Sequence, residues 1–260
     1  MAESTLSIAY ADLLVAVAVF LGYSPTAEDW TDAQTAQLDR IVQSGYRLFL
    51  FPAGMEGIEA GYEWSFLKPW TTLEMTADDE DQDLPDDFGG LIDGFHFAAG
   101  TGYAPVRAPV SVGDVLDERR RISTTGWPRI AAIRAKSSDG SDGQRAEVMW
   151  WPTPDSAYVV SYRYAAYTGK LTSVIKYPLG GMEHSETLTE SCLAAAERSI
   201  EDVSGLHREA FRGLLSSSIT RDKRRGAMFF GNVGNRVELG QSGEGLGFDY
   251  SLTVSDVVVQ

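Results

Sequence analysis

An α+β fold is predicted, with a bundle made of N- and C-terminal helices, an antiparallel β-sandwich or barrel inserted between them, and an extended C-terminal arm. Three observations predict it. A 3.6-residue apolar period fills the first 50 residues and returns after His184. Between those stretches the sequence breaks into short aromatic or β-branched runs separated by Gly, Pro and Asp. The segment from Gly226 to Gln260 holds seven Gly and has no helical period. The divisions that follow are residues 1–55 with 183–225 for the bundle, 56–182 for the inserted β domain, and 226–260 for the arm. A length of 260 residues is ample for one or two such domains.

Taken in order, Leu6, Tyr10, Leu13, Leu14, Val17, Phe20 and Leu21 recur at three- and four-residue steps, and Gly22 follows where a helix would stop. This predicts a first helix over Leu6–Leu21. Its apolar run, Leu13–Leu21, is too short for a bilayer, which takes roughly 20 apolar residues. No Lys or Arg stands before Arg40, so the run reads as a buried helix and not as a secretory signal. Ser24-Pro25 makes a turn. Thr31-Asp32-Ala33-Gln34 then has the form of a capping box, opening a second helix through Leu38, Ile41, Val42 and Tyr46 to near Leu50. A short connection between two helices predicts an antiparallel hairpin.

Candidate strands are Tyr62–Leu67, Phe88–Phe95, Arg129–Ala135, Ala146–Trp151 and Tyr158–Tyr164. The segments Arg129–Lys136 and Arg145–Trp151 flank a loop with Asp139-Gly140 and Asp142-Gly143, pairs that favour tight turns with positive φ, so these two runs predict a hairpin. Tyr158, Val160, Tyr162 and Tyr164 alternate with Val159, Ser161 and Arg163, which places one aromatic face inward. Helical period resumes with Leu188, Cys192, Ala195, Ala196, Ser199 and Ile200 on one side, and Ser204-Gly205 breaks it. A fourth helix over about Leu206–Arg225 carries Phe211, Leu214, Leu215 and Ile219, and its basic last turn complements the helix dipole. The arm ends in Ser251–Val259, a run of strand propensity. Such a strand is either an edge of its own β domain or pairs with another chain.

Charge and motifs narrow the function classes. With 22 basic against 37 acidic residues the formal charge is −15, which opposes tight binding of nucleic acid, since that binding depends on Lys and Arg neutralising phosphates. One cysteine, Cys192, excludes an internal disulfide and falls on an apolar helix face as a buried thiol. No catalytic motif is complete: Gly240-Gln241-Ser242-Gly243-Glu244 has Glu where a nucleophile elbow needs Gly, Gly100-Thr101-Gly102 continues into Tyr103, Ala104 and Pro105, and His96, His184 and His207 fall in different elements. No enzyme activity, cofactor or metal is therefore expected. The acidic run Asp78, Asp79, Glu80, Asp81 and Asp83 imitates the start of a calcium loop but has Leu84 at its glycine position and Gly90 at its twelfth, so a solvated acidic loop is expected. Trp64, Trp70, Trp127, Trp150 and Trp151 leave open a sugar-stacking surface.

Read in order, several local sequences resemble the head-to-tail adaptor (connector) proteins of tailed bacteriophages. They are the N-terminal helical pair ending at Tyr46-Arg47-Leu48-Phe49, then Tyr62-Glu63-Trp64-Ser65-Phe66-Leu67, then Asp83-Leu84-Pro85-Asp86-Asp87-Phe88. Trp151-Pro152-Thr153-Pro154 leading into Tyr158–Tyr164, and the helices from Glu183 onward, complete the order. The middle segments look like the β insert of longer adaptors, including tail tubular proteins of short-tailed phages. The resemblance implies a structural virion protein made in the host cytoplasm, without membrane insertion. It implies a homo-oligomeric ring of twelve copies beneath the portal protein, joined to a downstream neck or tail protein, with double-stranded DNA passing through without tight binding. A tail-completion or tail-tube protein, or a carbohydrate-binding virion surface module, are the other readings. In the adaptor reading the arm residues Met228, Phe229, Phe230, Leu252, Val254, Val257, Val258 and Val259 form an assembly interface, and the acidic loop faces solvent or the channel.

Overall fold

The computed structural model describes residues 4–52, 61–141, 143–201 and 205–226. Among them the chain forms five helices and two small antiparallel sheets. The helices are α1 (Tyr10–Phe20), α2 (Asp32–Leu50), α3 (Val112–Arg121), α4 (Ser185–Glu201) and α5 (Leu206–Gly226). The strands are β1 (Trp70–Glu74), β2 (Asp81–Asp83), β3 (Phe88–Phe97), β4 (Ile130–Ala135), β5 (Ala146–Trp151) and β6 (Val159–Ala166). The α+β class is as expected.

Helix α1 starts four residues later than the apolar period predicts. Asp12 accepts the Ala9 N–H at 2.9 Å and so fixes the helix start there, while Ser7 N–H turns back onto the Ser4 carbonyl and leaves Leu6 outside. The capping box of α2 forms as predicted: Thr31 Oγ1 accepts from Gln34 N at 3.3 Å and Gln34 Oε1 accepts from Thr31 N at 2.8 Å. Leu13, Val17, Leu38, Val42, Phe49, Leu188, Cys192, Phe211 and Leu215 share one core, with α4 wedged among α1, α2 and α5. Gly45 makes the α2–α4 approach possible, since a Cβ there would sit 2.5 Å from Cys192 Cα. The buried Glu197 carboxylate accepts the Gly205 N–H at 3.2 Å, satisfying a donor at the start of α5. Ile200, expected on the apolar face of α4, is exposed.

The sheets are ordered β1-β6-β3 and β2-β5-β4, and they face each other across a second core. Alternation places Val160, Tyr162, Tyr164 and Ala166 inward from β6, with Val148 and Trp150 inward from β5. The predicted hairpin is present: β4 pairs with β5 from Ile130↔Trp151 to Ala135↔Ala146, and Gly140 and Gly143 take positive φ in its loop. Helix α3 covers the outer face of that sheet through Val115 against Ala132 and Met149.

Further sequence expectations are corrected in the middle of the chain. Tyr62–Leu67 is not a strand. Its aromatic alternation instead serves the helical core, where Trp64 lies 4.7 Å from Phe49 and donates its indole N–H to the Phe49 carbonyl, and a short 3-10 turn covers Ser65–Leu67. The Ser65 N–H goes to Asp222, so the segment has no need of a ladder partner. The acidic run is not wholly a loop, because Asp81–Asp83 pairs with Glu147–Met149 as the edge strand β2. Helix α3 was not anticipated, although Ser111 caps it by accepting from Asp114 N at 3.1 Å.

Candidate functional site

Within the connection from β6 to α4, residues 167–182 carry the densest group of exposed apolar side chains among the described residues. Tyr167, Val174, Ile175, Tyr177, Leu179 and Met182 are all exposed, Val174 to 86%. Leu6, 74% exposed, belongs to the same surface, since Ser4 Oγ donates to Met182 Sδ at 3.4 Å and Ile8 N–H donates to Ser185 Oγ at 3.2 Å. A group of apolar side chains presented together is the usual mark of an interaction surface, whereas scattered ones are ordinary.

This strap is tied to the bundle by hydrogen bonds. Gln43 of α2 clamps Leu171 twice, donating Nε2 to its carbonyl at 2.7 Å and accepting its N–H at 3.0 Å. The Lys176 carbonyl accepts the Tyr10 N–H at 2.7 Å, so the strap satisfies an otherwise orphan donor at the start of α1. The Tyr46 hydroxyl accepts from Leu179 N at 3.2 Å. Between these pins a turn closes from Thr172 N to the Ile175 carbonyl at 3.0 Å, and Thr172 Oγ1 accepts the Val174 and Ile175 N–H groups. Backbone polar groups are thereby turned inward and Val174 and Ile175 outward. Gly180, at φ +106°, closes the far end, where a Cβ would come within 2.9 Å of the His184 ring.

The pins continue into the bundle as a polar chain. Gln43 Nε2 also donates to Asp39 at 2.9 Å, and the Tyr10 hydroxyl donates to the same oxygen at 2.6 Å. Burial raises the Tyr10 pKa, and its bond to Asp39 adds to the rise. Burial pushes the Asp39 carboxyl upward, yet the hydrogen bonds from Tyr10 and Gln43 together with the Lys170 charge outweigh it and hold the carboxyl below its ordinary value. Burial also raises the Tyr46 phenol, partly offset by the Leu179 N–H.

The acidic segment has a different environment from a run of free carboxylates. Asp81 bridges Arg119 of α3 at 2.8 Å and Arg134 of β4 at 3.0 Å, and Arg134 Nε binds Glu147 at 2.6 Å. Asp83 binds Lys136 at 2.7 Å, and Glu80 lies 3.5 Å from Arg119. Asp78 is exposed on the preceding turn and Asp79 is half-buried beside it. A charged edge strand resists unwanted pairing with other sheets. Among the described residues no group of three or more His, Cys, Asp or Glu is placed to hold a metal ion.

The other candidates separate. Cys192 is buried, and burial pushes its thiol up to about 12, which makes it unreactive at neutral pH. His184 lies in the aromatic core beside Phe49, Trp64 and Phe66, His207 binds Glu190 at 2.9 Å, and His96 faces Asp93 at 3.3 Å on the first sheet. Trp64 and Trp150 are wholly buried and present no face to a sugar, Trp151 is half-buried, the Arg129 guanidinium lies 5.1 Å over the Trp127 ring, and Trp70 on β1 is 56% exposed. The arm residues Met228, Phe229, Phe230, Leu252, Val254, Val257, Val258 and Val259, and the motif-like Gly240–Glu244, lie outside the described residues. No helix among the described residues is long and apolar enough to cross a membrane.

Sequence reasoning missed the strap. Its one local signal is Val174-Ile175 set between Thr172 and the Tyr177-Pro178 turn, a hydrophobic pair too short to declare an element. The comparison with family models gives a match over residues 8–236 to the family described as SU10 adaptor protein. No curated protein matches the chain.

Proposed function

The chain belongs to the SU10 adaptor protein family, structural phage adaptors that assemble with head and tail components, and from that premise we propose that it is a ring-forming neck subunit. Twelve copies sit beneath the portal protein, join the capsid to a downstream neck or tail protein, and conduct double-stranded DNA. The observation that carries this reading is the pinned strap. A subunit that must meet neighbours repeatedly in one geometry needs apolar contacts already ordered before assembly, because ordering them on association costs affinity. Gln43, Tyr46 and the start of α1 provide that order for Val174, Ile175, Tyr177 and Leu179.

The net charge of −15 supports the same reading, since a channel through which DNA slides cannot hold phosphates strongly. The acidic segment Asp78, Asp79, Glu80, Asp81 and Asp83, with Asp78 exposed on the turn and Asp79 half-buried beside it, faces either the channel or solvent. The arm supplies a second set of contacts through Met228, Phe229 and Phe230 at its base and Leu252, Val254, Val257, Val258 and Val259 near its end. Main-chain pairing of that terminal strand with a neighbour would add affinity without further side-chain surface.

Two variants test the proposal. Val174→Asp with Ile175→Asp changes only exposed side chains, so the subunit keeps its circular dichroism spectrum and loses ring assembly. A chain ending at Arg225 folds but assembles poorly. Filled capsids that acquire tails normally with either variant would overturn the role assigned to that surface, and glycan binding by the purified chain would favour a surface module instead.

A further inference from the structure

A cleft of about 520 Å3 opens between the end of α2 and the ends of β3 and β6. Leu50, Phe51, Leu67, Leu91, Ile92 and Tyr167 give it an apolar lining. Phe51, Ile92 and Tyr167 are exposed at it, with the Phe51 and Tyr167 rings 6.1 Å apart. Gly89 allows one wall to close up, because a Cβ there would come within 2.8 Å of the Ala165 carbonyl and 2.9 Å of the Tyr167 ring. Its size falls within the ~300–1,000 Å3 in which proteins commonly enclose an apolar ligand.

We propose that this cleft is the seat of Met228-Phe229-Phe230 from the same chain, which anchors the base of the arm. The choice of occupant follows from where α5 ends. Tyr62 lines the cleft, donates its hydroxyl to Asp222 of α5 at 2.6 Å, and has the Lys223 ammonium 5.6 Å from the centre of its ring. Helix α5 is described as far as Gly226, and Met228 is two residues further. Six residues lead from Lys223 to Phe229, and six residues of chain reach at most about 20 Å. So short a tether gives the cluster a local concentration on the order of millimolar at its own cleft, above that of an arm from another copy in dilute solution. Seating the base of the arm gives the remaining 30 residues, 231–260, a fixed point of departure toward a neighbour. This gives Met228-Phe229-Phe230 to their own chain in place of the contacts with a neighbour assigned to them above, and it rests on the assembly role proposed for the rest of the arm.

The test is the maleimide labelling rate of Phe229→Cys in the full chain, with Cys192 left in place because it is buried and unreactive. The expected result is labelling about tenfold slower than at Leu206→Cys, a position 76% exposed, and a rate independent of protein concentration. Adding Ile92→Asp and Tyr167→Asp, both exposed substitutions, brings the rate up to that reference while circular dichroism stays unchanged. Labelling at the reference rate without those substitutions overturns the proposal. Protection that disappears on dilution assigns the cleft to another copy's arm, and protection that survives the cleft substitutions places the cluster elsewhere; both overturn it. The rates are read on the dilute subunit, so failure here leaves the ring reading standing, whereas failure of the ring is read in particles.

Discussion

Replacing Asp222 by Ala should cost the fold about 3 kcal/mol, from hydrogen bonds that lose a charged acceptor. Asp222 is 2% exposed on α5, and its carboxylate takes the Tyr62 hydroxyl at 2.6 Å, the Ser65 N–H at 2.8 Å and the Ser65 hydroxyl. Removing it leaves a backbone donor and two hydroxyls in a shielded site, at about 1–3 kcal/mol for each group that water fails to reach. Asp222→Asn keeps the shape and one acceptor, and should cost about half as much, while Tyr62→Phe, which removes one hydroxyl, should cost about 1 kcal/mol. Urea unfolding followed by tryptophan fluorescence suits the site, since Trp64 lies 5.2 Å from Tyr62. The midpoint temperature should fall by about 6–12 °C for Asp222→Ala, given roughly 2–4 °C per kcal/mol at this chain length. Tyr62→Phe and Asp222→Ala share a bond, so their costs should combine to less than their sum. A cost below about 0.5 kcal/mol for Asp222→Ala, or strict additivity in the double variant, would refute the claim that this carboxylate ties α5 to the segment after α2.

Gly45→Ala should destabilise by about 1–3 kcal/mol or more, because the new methyl meets Cys192 backbone at 2.5 Å. Gly213→Ala on α5, with nothing within 4 Å, should stabilise by about 0.5–1 kcal/mol; equal urea midpoints for the two would contradict the close α2–α4 approach. The Asp39 carboxyl is held below its ordinary value, so its contribution is complete above about pH 4, the unfolded value, and is lost as pH falls through the lower folded value. Asp39→Asn should flatten the stability–pH curve in that acid window, and an unchanged curve would show that the Tyr10–Asp39–Gln43 chain does not hold the strap.

Elements with a strong local pattern were legible. The Thr31–Gln34 capping box, the β4–β5 hairpin with positive φ at Gly140 and Gly143, and the alternation of Val160, Tyr162 and Tyr164 all act over a few residues, and each forms as the sequence predicts. Tyr62–Leu67 misled because aromatic alternation is the same on a strand and on an extended segment laid against helices, and Asp222, 157 residues away from Ser65, decides between them. Helix α3 was hidden because its apolar residues stop at Leu116 and its remaining turn is charged, with Arg119 reaching the Trp150 and Glu80 carbonyls and Asp81. Of the strap, only the Val174-Ile175 pair left a local signal. Its form depends on Gln43 and Leu171, 128 residues apart, and on Tyr46 and Leu179, 133 apart, pairings that leave no trace in local periodicity.

The most direct measurement is an averaged electron-microscopy image of the assembled neck, resolved well enough to trace residues 167–182. The predicted result is a closed ring of twelve copies between portal and tail, with Val174, Ile175 and Tyr177 buried at a protein contact and DNA passing along the axis. A subunit present outside any ring, or a ring in which that strap faces open solvent, would contradict it.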